Sequence, residues 1–254
     1  MVKYFKTESG KTGFGFSLYH IAWQAADWLY PPECAGCGQP GSRFCPSCAS
    51  QLKIIEEPFC STCGTPVEPG KKCLECTEHP PRFDKLRSWA VFAGPLREAL
   101  HSLKYKKNLG VAEVLAKPLV GILQREKWDF DLIIPIPLSR NHLKQRGYNQ
   151  AQAIARPISL TFGTPIDSRS VTRVKETSSQ VDLSPHQRYA NLQDAFSANP
   201  AKLNGRKVLL VDDVATTGAT LNSCAEALRN AGVTEVFCIT VAKALKKDSI
   251  TLRN

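Results

Sequence analysis

Eight cysteines in four Cys-x-x-Cys pairs are the densest group of metal-binding side chains in this sequence: Cys34 with Cys37, Cys45 with Cys48, Cys60 with Cys63, and Cys73 with Cys76. The two thiolates of such a pair can reach one ion. Two pairs complete the tetrahedral shell of a structural zinc and leave no position open to water. A disulfide framework is the weaker alternative, because the N-terminus does not read as an export signal and cytosolic thiols stay reduced. Cys-Gly-x-Pro recurs at Cys37–Pro40 and Cys63–Pro66, so the segment reads as two copies of a zinc-ribbon unit. The ligands pair either sequentially, as Cys34/Cys37/Cys45/Cys48 and Cys60/Cys63/Cys73/Cys76, or in an interleaved order. A region this small buries too little apolar surface to fold unaided, which makes the metal part of its fold.

A second concentration of chemistry lies between Val208 and Thr220, where Val208-Leu209-Leu210-Val211 precedes Asp212-Asp213-Val214-Ala215-Thr216-Thr217-Gly218-Ala219-Thr220. The apolar run predicts a buried strand, with the acidic pair emerging at its end. Carboxylates there can accept hydrogen bonds from vicinal hydroxyls or approach a metal-bound sugar. Ala215, Thr216, Thr217, Gly218, Ala219 and Thr220 then turn into a helix, offering backbone N–H groups, hydroxyls and a positive helix end to a dianionic phosphate. No Gly-Lys-[Ser/Thr] ending is present, so this is not a nucleotide P-loop. A third cluster follows the apolar run Ile133–Ile136, where Pro137-Leu138-Ser139-Arg140 opens a basic loop containing Lys144 and Arg146, then Asn149 and Gln150.

The elements that must position these groups follow from the apolar pattern. Strands are predicted at 88–92, 131–135, 207–211 and 235–242, and helices starting at 96, at 149–160 and at 220–231. Such alternation favours a mostly parallel sheet covered by helices, with ligands at the carboxyl ends of the strands. Residues 1–30 form an N-terminal extension, of which 17–30 reads as an amphipathic helix through Leu18, Ile21, Ala22, Ala25, Trp28 and Leu29. The cysteine module occupies 31–80 and the α/β domain 85–245. Cys224 and Cys238 lie in apolar surroundings and read as core.

At 254 residues with 43% hydrophobic content, the chain can bury a real core. Its formal charge is +10, but residues 1–85 carry nine basic and nine acidic side chains against 24 and 14 in the remainder. The basic excess therefore belongs to the α/β domain and suits a phosphorylated small molecule or nucleic acid. No stretch approaches the roughly 20 apolar residues that span a bilayer. A cytoplasmic location is expected, with contact to the inner face of the membrane left open through the amphipathic helix.

In this order the motifs resemble the ComF/GntX family, in which a double zinc ribbon precedes a type I phosphoribosyltransferase-like domain. The Asp212–Thr220 stretch looks like that fold's phosphoribosyl pyrophosphate motif, and Arg146-Gly147-Tyr148-Asn149-Gln150 resembles the Arg-Gly-Phe-Asn-Gln run of ComF proteins. The resemblance implies that Asp212 and Asp213 engage the ribose hydroxyls, directly or through magnesium carried by the substrate. It also implies that Ala215–Thr220 hold the 5-phosphate and that Leu138, Ser139 and Arg140 form the pyrophosphate loop. Lys104, Arg146, Asn149, Gln150, Arg173 and Gln180 are further contacts, the last two on a polar segment where type I enzymes carry a flexible hood. The zinc is structural. By the same resemblance the expected ligand is phosphoribosyl pyrophosphate or a related ribose 5-phosphate, in a protein linked to competence and DNA uptake. Two activities stay open: phosphoribosyl transfer to an acceptor that the sequence does not identify, and a non-catalytic competence factor that binds single-stranded DNA or a protein partner.

Overall fold

The computed structural model describes residues 31–175 and 195–245. The predicted helix at 17–30, Gln180 and most of the predicted hood lie outside them. Two short helices, α1 (Pro46–Ser50) and α2 (Leu74–Glu78), belong to the cysteine module. The α/β domain continues as β1 (Lys85–Val91), α3 (Gly94–Tyr105), α4 (Gly110–Glu126), β2 (Leu132–Pro135), α5 (Arg140–Arg146) and α6 (Gln150–Phe162). It finishes with β3 (Val171–Arg173), β4 (Phe196–Ala198), α7 (Pro200–Leu203), β5 (Lys207–Ala215), α8 (Ala219–Asn230) and β6 (Glu235–Lys243).

β1, β6, β5 and β2 lie side by side in that order as one parallel sheet, and β3 pairs with β4 as a separate antiparallel hairpin. Both faces of the sheet are covered, which is why β5 and β6 read as unbroken apolar runs rather than alternating ones. Leu209 and Val211 of β5 pack with Ile239 and Val241 of β6 into one core, beside α3, α4 and α6. Val208 and Leu210 pack with Val236 and Cys238 into the other, beside α8. Cys224 and Cys238 are fully buried there.

The cysteine module covers the outer edge of β1 and reaches around to both faces. Ile54 bridges Ala90, the Ile55 N–H donates to the Trp89 carbonyl, and the Leu86 N–H donates to the Thr62 carbonyl at 2.7 Å. Backbone donors and acceptors of an edge strand that would otherwise be left open are thereby satisfied. Cys34 and Cys48 join the first core, whereas Cys60, Cys63 and Cys76 join the second.

Three differences from the sequence reading stand out. β5 does not end at Val211: its pairing with β6 continues from Asp212↔Thr240 to Ala215↔Lys243, so the acidic pair lies within the strand. The basic loop after Pro137 winds into α5, because the Ser139 hydroxyl caps it by accepting from the His142 N–H, although none of its residues is buried. Helix α4 has no counterpart among the predicted elements. It has Leu115, Ala116, Leu119 and Leu123 on its buried face and carries Pro118 inside.

Candidate functional site

The cysteines gather into two clusters, Cys34/Cys37/Cys45/Cys48 and Cys60/Cys63/Cys73/Cys76, and the four sulfurs of each lie within 4.8 Å of one another. Of the two pairings the sequence allowed, this is the sequential one. Ligation of zinc at about 2.3 Å with tetrahedral angles requires sulfurs roughly 3.8 Å apart. The Cys34–Cys48 and Cys37–Cys45 separations, both 3.7 Å, meet that requirement, and Cys63–Cys73 at 3.4 Å is close to it. Backbone N–H groups already point at the sulfurs, from Cys45 to Cys34 at 3.2 Å and from Cys76 to Cys73 at 3.4 Å. Such donors favour thiolate. They hold Cys34 down at about 6 despite the burial that opposes them, and the hydrogen bond from Cys76 leads in bringing Cys63 down to about 4. Cys76 is pushed up in return by the Cys63 thiolate beside it. Four thiolates this close stay together only around a cation, so the residues fit structural zinc, which closes the fold and leaves no coordination position for chemistry.

At the carboxyl ends of β2 and β5 nine of the remaining candidates line a cavity of about 360 Å³. Successive residues of a strand point to opposite faces, so the acidic pair divides. Asp213 is almost fully buried, with the Lys104 ammonium 2.5 Å from its Oδ2 and the Gln150 amide donating to Oδ1 at 3.3 Å. The Arg146 guanidinium donates to the Gln150 Oε1 at 2.9 Å and lies 5.1 Å from the centre of the Tyr105 ring. Tyr105, Arg146, Gln150, Asp213 and Lys104 thus form one connected chain. Asp212 faces the other way and accepts from the Asp213 N–H at 2.8 Å. Burial and the Asp213 charge push its carboxyl well above the ordinary range, with Lys104 partly opposing them. Arg173 lines the same cavity, 5.7 Å from the centre of the Phe196 ring; burial draws its guanidinium down and the Asp212 charge acts against that.

The loop after β5 turns at Gly218, whose φ of +77° suits glycine, and α8 starts at Ala219. Thr216 and Thr220 face the cavity, the Thr217 hydroxyl accepts from the Ala219 N–H at 3.3 Å, and Ala215 and Ala219 are buried. Leu138 lines the cavity on the β2 side. Ser139 is taken up with capping α5, and Arg140 is exposed and does not line it. Asn149 acts as scaffold: its amide donates to the Ile136 carbonyl at 2.9 Å and its Oδ1 caps α6. Two lining residues escaped the sequence reading, Phe92 and His142. Phe92 directly follows β1, and the rule that directs attention to strand ends could have found it. His142 sits in the first turn of α5, where the basic composition suggests a loop.

The chain matches the double zinc ribbon domain over residues 25–77 and the phosphoribosyl transferase domain over residues 143–249. It is 33% identical over 209 residues to competence protein F of Haemophilus influenzae, covering 79% of this chain and 90% of that one. This chain belongs to the ComF family. Other relatives are the DNA utilization protein YhgH of Salmonella typhimurium, 33% identical over 77% of this chain and 89% of that one, and the competence protein ComFC of Bacillus subtilis, 25% identical over 84% and 85%. The Arg146–Gln150 run carries the link from Arg146 through Gln150 to Asp213 and the Asn149 cap of α6. Among the described residues of this ComF protein, no helix is long and apolar enough to cross a membrane.

Proposed function

We propose that the cleft binds phosphoribosyl pyrophosphate or a related ribose 5-phosphate, and that the protein serves DNA uptake or the use of DNA-derived material, a reading supported by relatives named for competence and for DNA utilization. One observation carries this reading: an acidic pair, a Thr/Gly turn at a helix start and the cations Lys104, Arg146 and Arg173 converge on one cavity of about 360 Å³. That volume falls in the range of small-molecule sites. The 5-phosphate takes the turn at Thr216–Thr220, where hydroxyls and the positive end of α8 meet it. Asp212, open to the cavity, accepts from the ribose hydroxyls. Asp213 joins it by exchanging its Lys104 contact, which frees that ammonium for the pyrophosphate beside Pro137 and Leu138. Magnesium would be held mainly by substrate oxygens and water, with Asp212 as a carboxylate able to join them, and would supply charge neutralisation for the leaving group. In a transfer reaction these carboxylates face the cationic sugar of the transition state, and the protein need not attack it covalently.

Calorimetric titration with phosphoribosyl pyrophosphate and magnesium tests this reading. Binding should be weakened at least tenfold in the Asp212→Asn/Asp213→Asn variant, since each lost charged hydrogen bond is worth about 1.5–3 kcal/mol. Equal affinity in a folded, zinc-loaded variant removes the assignment. A second reading, single-stranded DNA as a partner, is favoured by Tyr105: it is 60% exposed beside Arg146 and next to Lys106 and Lys107. An exposed aromatic among cations suits a stacked base and a phosphate backbone. Salt-dependent binding of an oligothymidylate that Tyr105→Ala weakens, with no affinity for phosphoribosyl pyrophosphate, would favour this reading alone.

A further inference from the structure

Lys243, the last residue of β6, is 7% exposed, and its ammonium donates to the Cys63 carbonyl at 3.0 Å. A buried ammonium is costly unless it is hydrogen-bonded and its charge is answered. A zinc held by four thiolates carries net negative charge and answers it. The backbone of the same residue joins the two walls of the cleft. Lys243 pairs with Ala215, where the phosphate loop begins, and with Val91 on the other side. Its carbonyl accepts from the N–H of Phe92, which lines the cavity, and the next residue, Ala244, donates to the Ala215 carbonyl.

We propose that Lys243 is a positioning residue that couples the second cysteine site to the phosphate loop, so that metal at Cys60, Cys63, Cys73 and Cys76 sets how tightly the cleft holds its ligand. The part concerning ligand rests on the function proposed above; the coupling of metal site to loop does not. With the metal in place, the Lys243 side chain is pinned and the strand ends carrying Phe92 and Ala215 are held in register. Without it the knuckle that carries the Cys63 carbonyl is no longer held, and the Lys243 ammonium loses its fixed acceptor at the end of β6. Coupling of this kind is reciprocal, so a ligand on the loop slows release of that metal.

The test uses the full zinc-loaded chain and Lys243→Met, which keeps the stem's bulk and removes the charge. The variant should retain both zincs. Amide exchange over residues 215–220 should quicken by about tenfold, the size of one charged hydrogen bond, while exchange in β2 is unchanged. Ribose 5-phosphate should slow chelator-driven zinc release severalfold from the wild type and not from the variant. Unchanged exchange in the loop overturns the proposal, as does zinc release from the wild type that is indifferent to bound ribose 5-phosphate. If ribose 5-phosphate fails to bind the wild type, the cleft assignment falls and the exchange comparison alone decides the coupling.

Discussion

The first cysteine site leaves Cys37 exposed and Cys45 half-buried, and it joins one core through Cys34, Phe44, Cys48 and Ala49. The second has Cys60, Cys63 and Cys76 buried in the core that also holds Leu86, Ala215 and Leu221. Both use the same Cys-x-x-Cys and Cys-Gly-x-Pro pattern. The difference comes from what is docked. The second knuckle is tied to the sheet by the Leu86 N–H, by Arg87 donating to the Ser61 carbonyl at 3.0 Å, and by Lys243. Arg87 also forms a largely buried pair with Glu126 at 2.6 Å and lies 4.5 Å from the centre of the Phe59 ring. One motif can thus serve as a peripheral clip in one copy and as part of the interior in the other.

Ligand removal should separate the two copies most. Cys60→Ser is expected to lose its zinc and more than about 4 kcal/mol of stability, because the vacated site lies within the core. Cys37→Ser should also lose a zinc but cost well under half as much, and zinc content with chemical denaturation measures both. Equal costs would mean that the two sites are embedded alike.

The repeated glycines give a finer comparison. Gly38 and Gly64 have φ of +79° and +67°, so both resist a side chain on conformational grounds. A Cβ at Gly38 would meet nothing within 4 Å, whereas at Gly64 it would sit 2.8 Å from the Leu86 carbonyl oxygen. Gly38→Ala should cost about 1 kcal/mol, from strain alone. Gly64→Ala should cost about 2–3 kcal/mol, because the knuckle must also lift off β1. Matching melting temperatures for the two variants would refute tight docking of the second knuckle.

The smallest effect concerns the cleft. Because the folded protein raises the Asp212 carboxyl above its ordinary value, it binds that proton more tightly than the unfolded chain does. The resulting stability is full below the ordinary carboxylate range and is lost as pH rises through the raised value. Asp212→Asn keeps the acceptor for the Asp213 N–H and removes the charge. Its melting temperature should exceed the wild type's at pH 7, and the gap should close below about pH 4. A gap that persists at low pH would point to packing rather than charge.

Much of this was legible in the sequence because it rests on local rules. Cysteine spacing announces metal, an unbroken apolar run announces a doubly covered strand, and Asp212–Thr220 places acids and an anion-binding turn in consecutive residues. What escaped depends on distant partners. Pairing with β6 carries β5 past Val211, the burial of α4 overrides Pro118, and the contact between Lys104 and Asp213 joins residues far apart in the chain. The fate of Lys243 was equally hidden, since a lysine closing an apolar strand reads as an end marker until the carbonyl it serves is seen.

The separation in sequence between Lys243 and Cys63, 180 residues, also bears on how the chain is made. At about 5–20 residues per second, the cysteine module leaves the ribosome roughly ten to thirty-five seconds before β6 exists to receive it. During that interval β1 has the knuckles along one edge and no neighbour along the other. A nascent chain that loads zinc early keeps the covered edge occupied, whereas one made under zinc starvation presents both edges at once. Scarcity of the metal would then be felt first as aggregation of newly made protein, before any effect on molecules already folded.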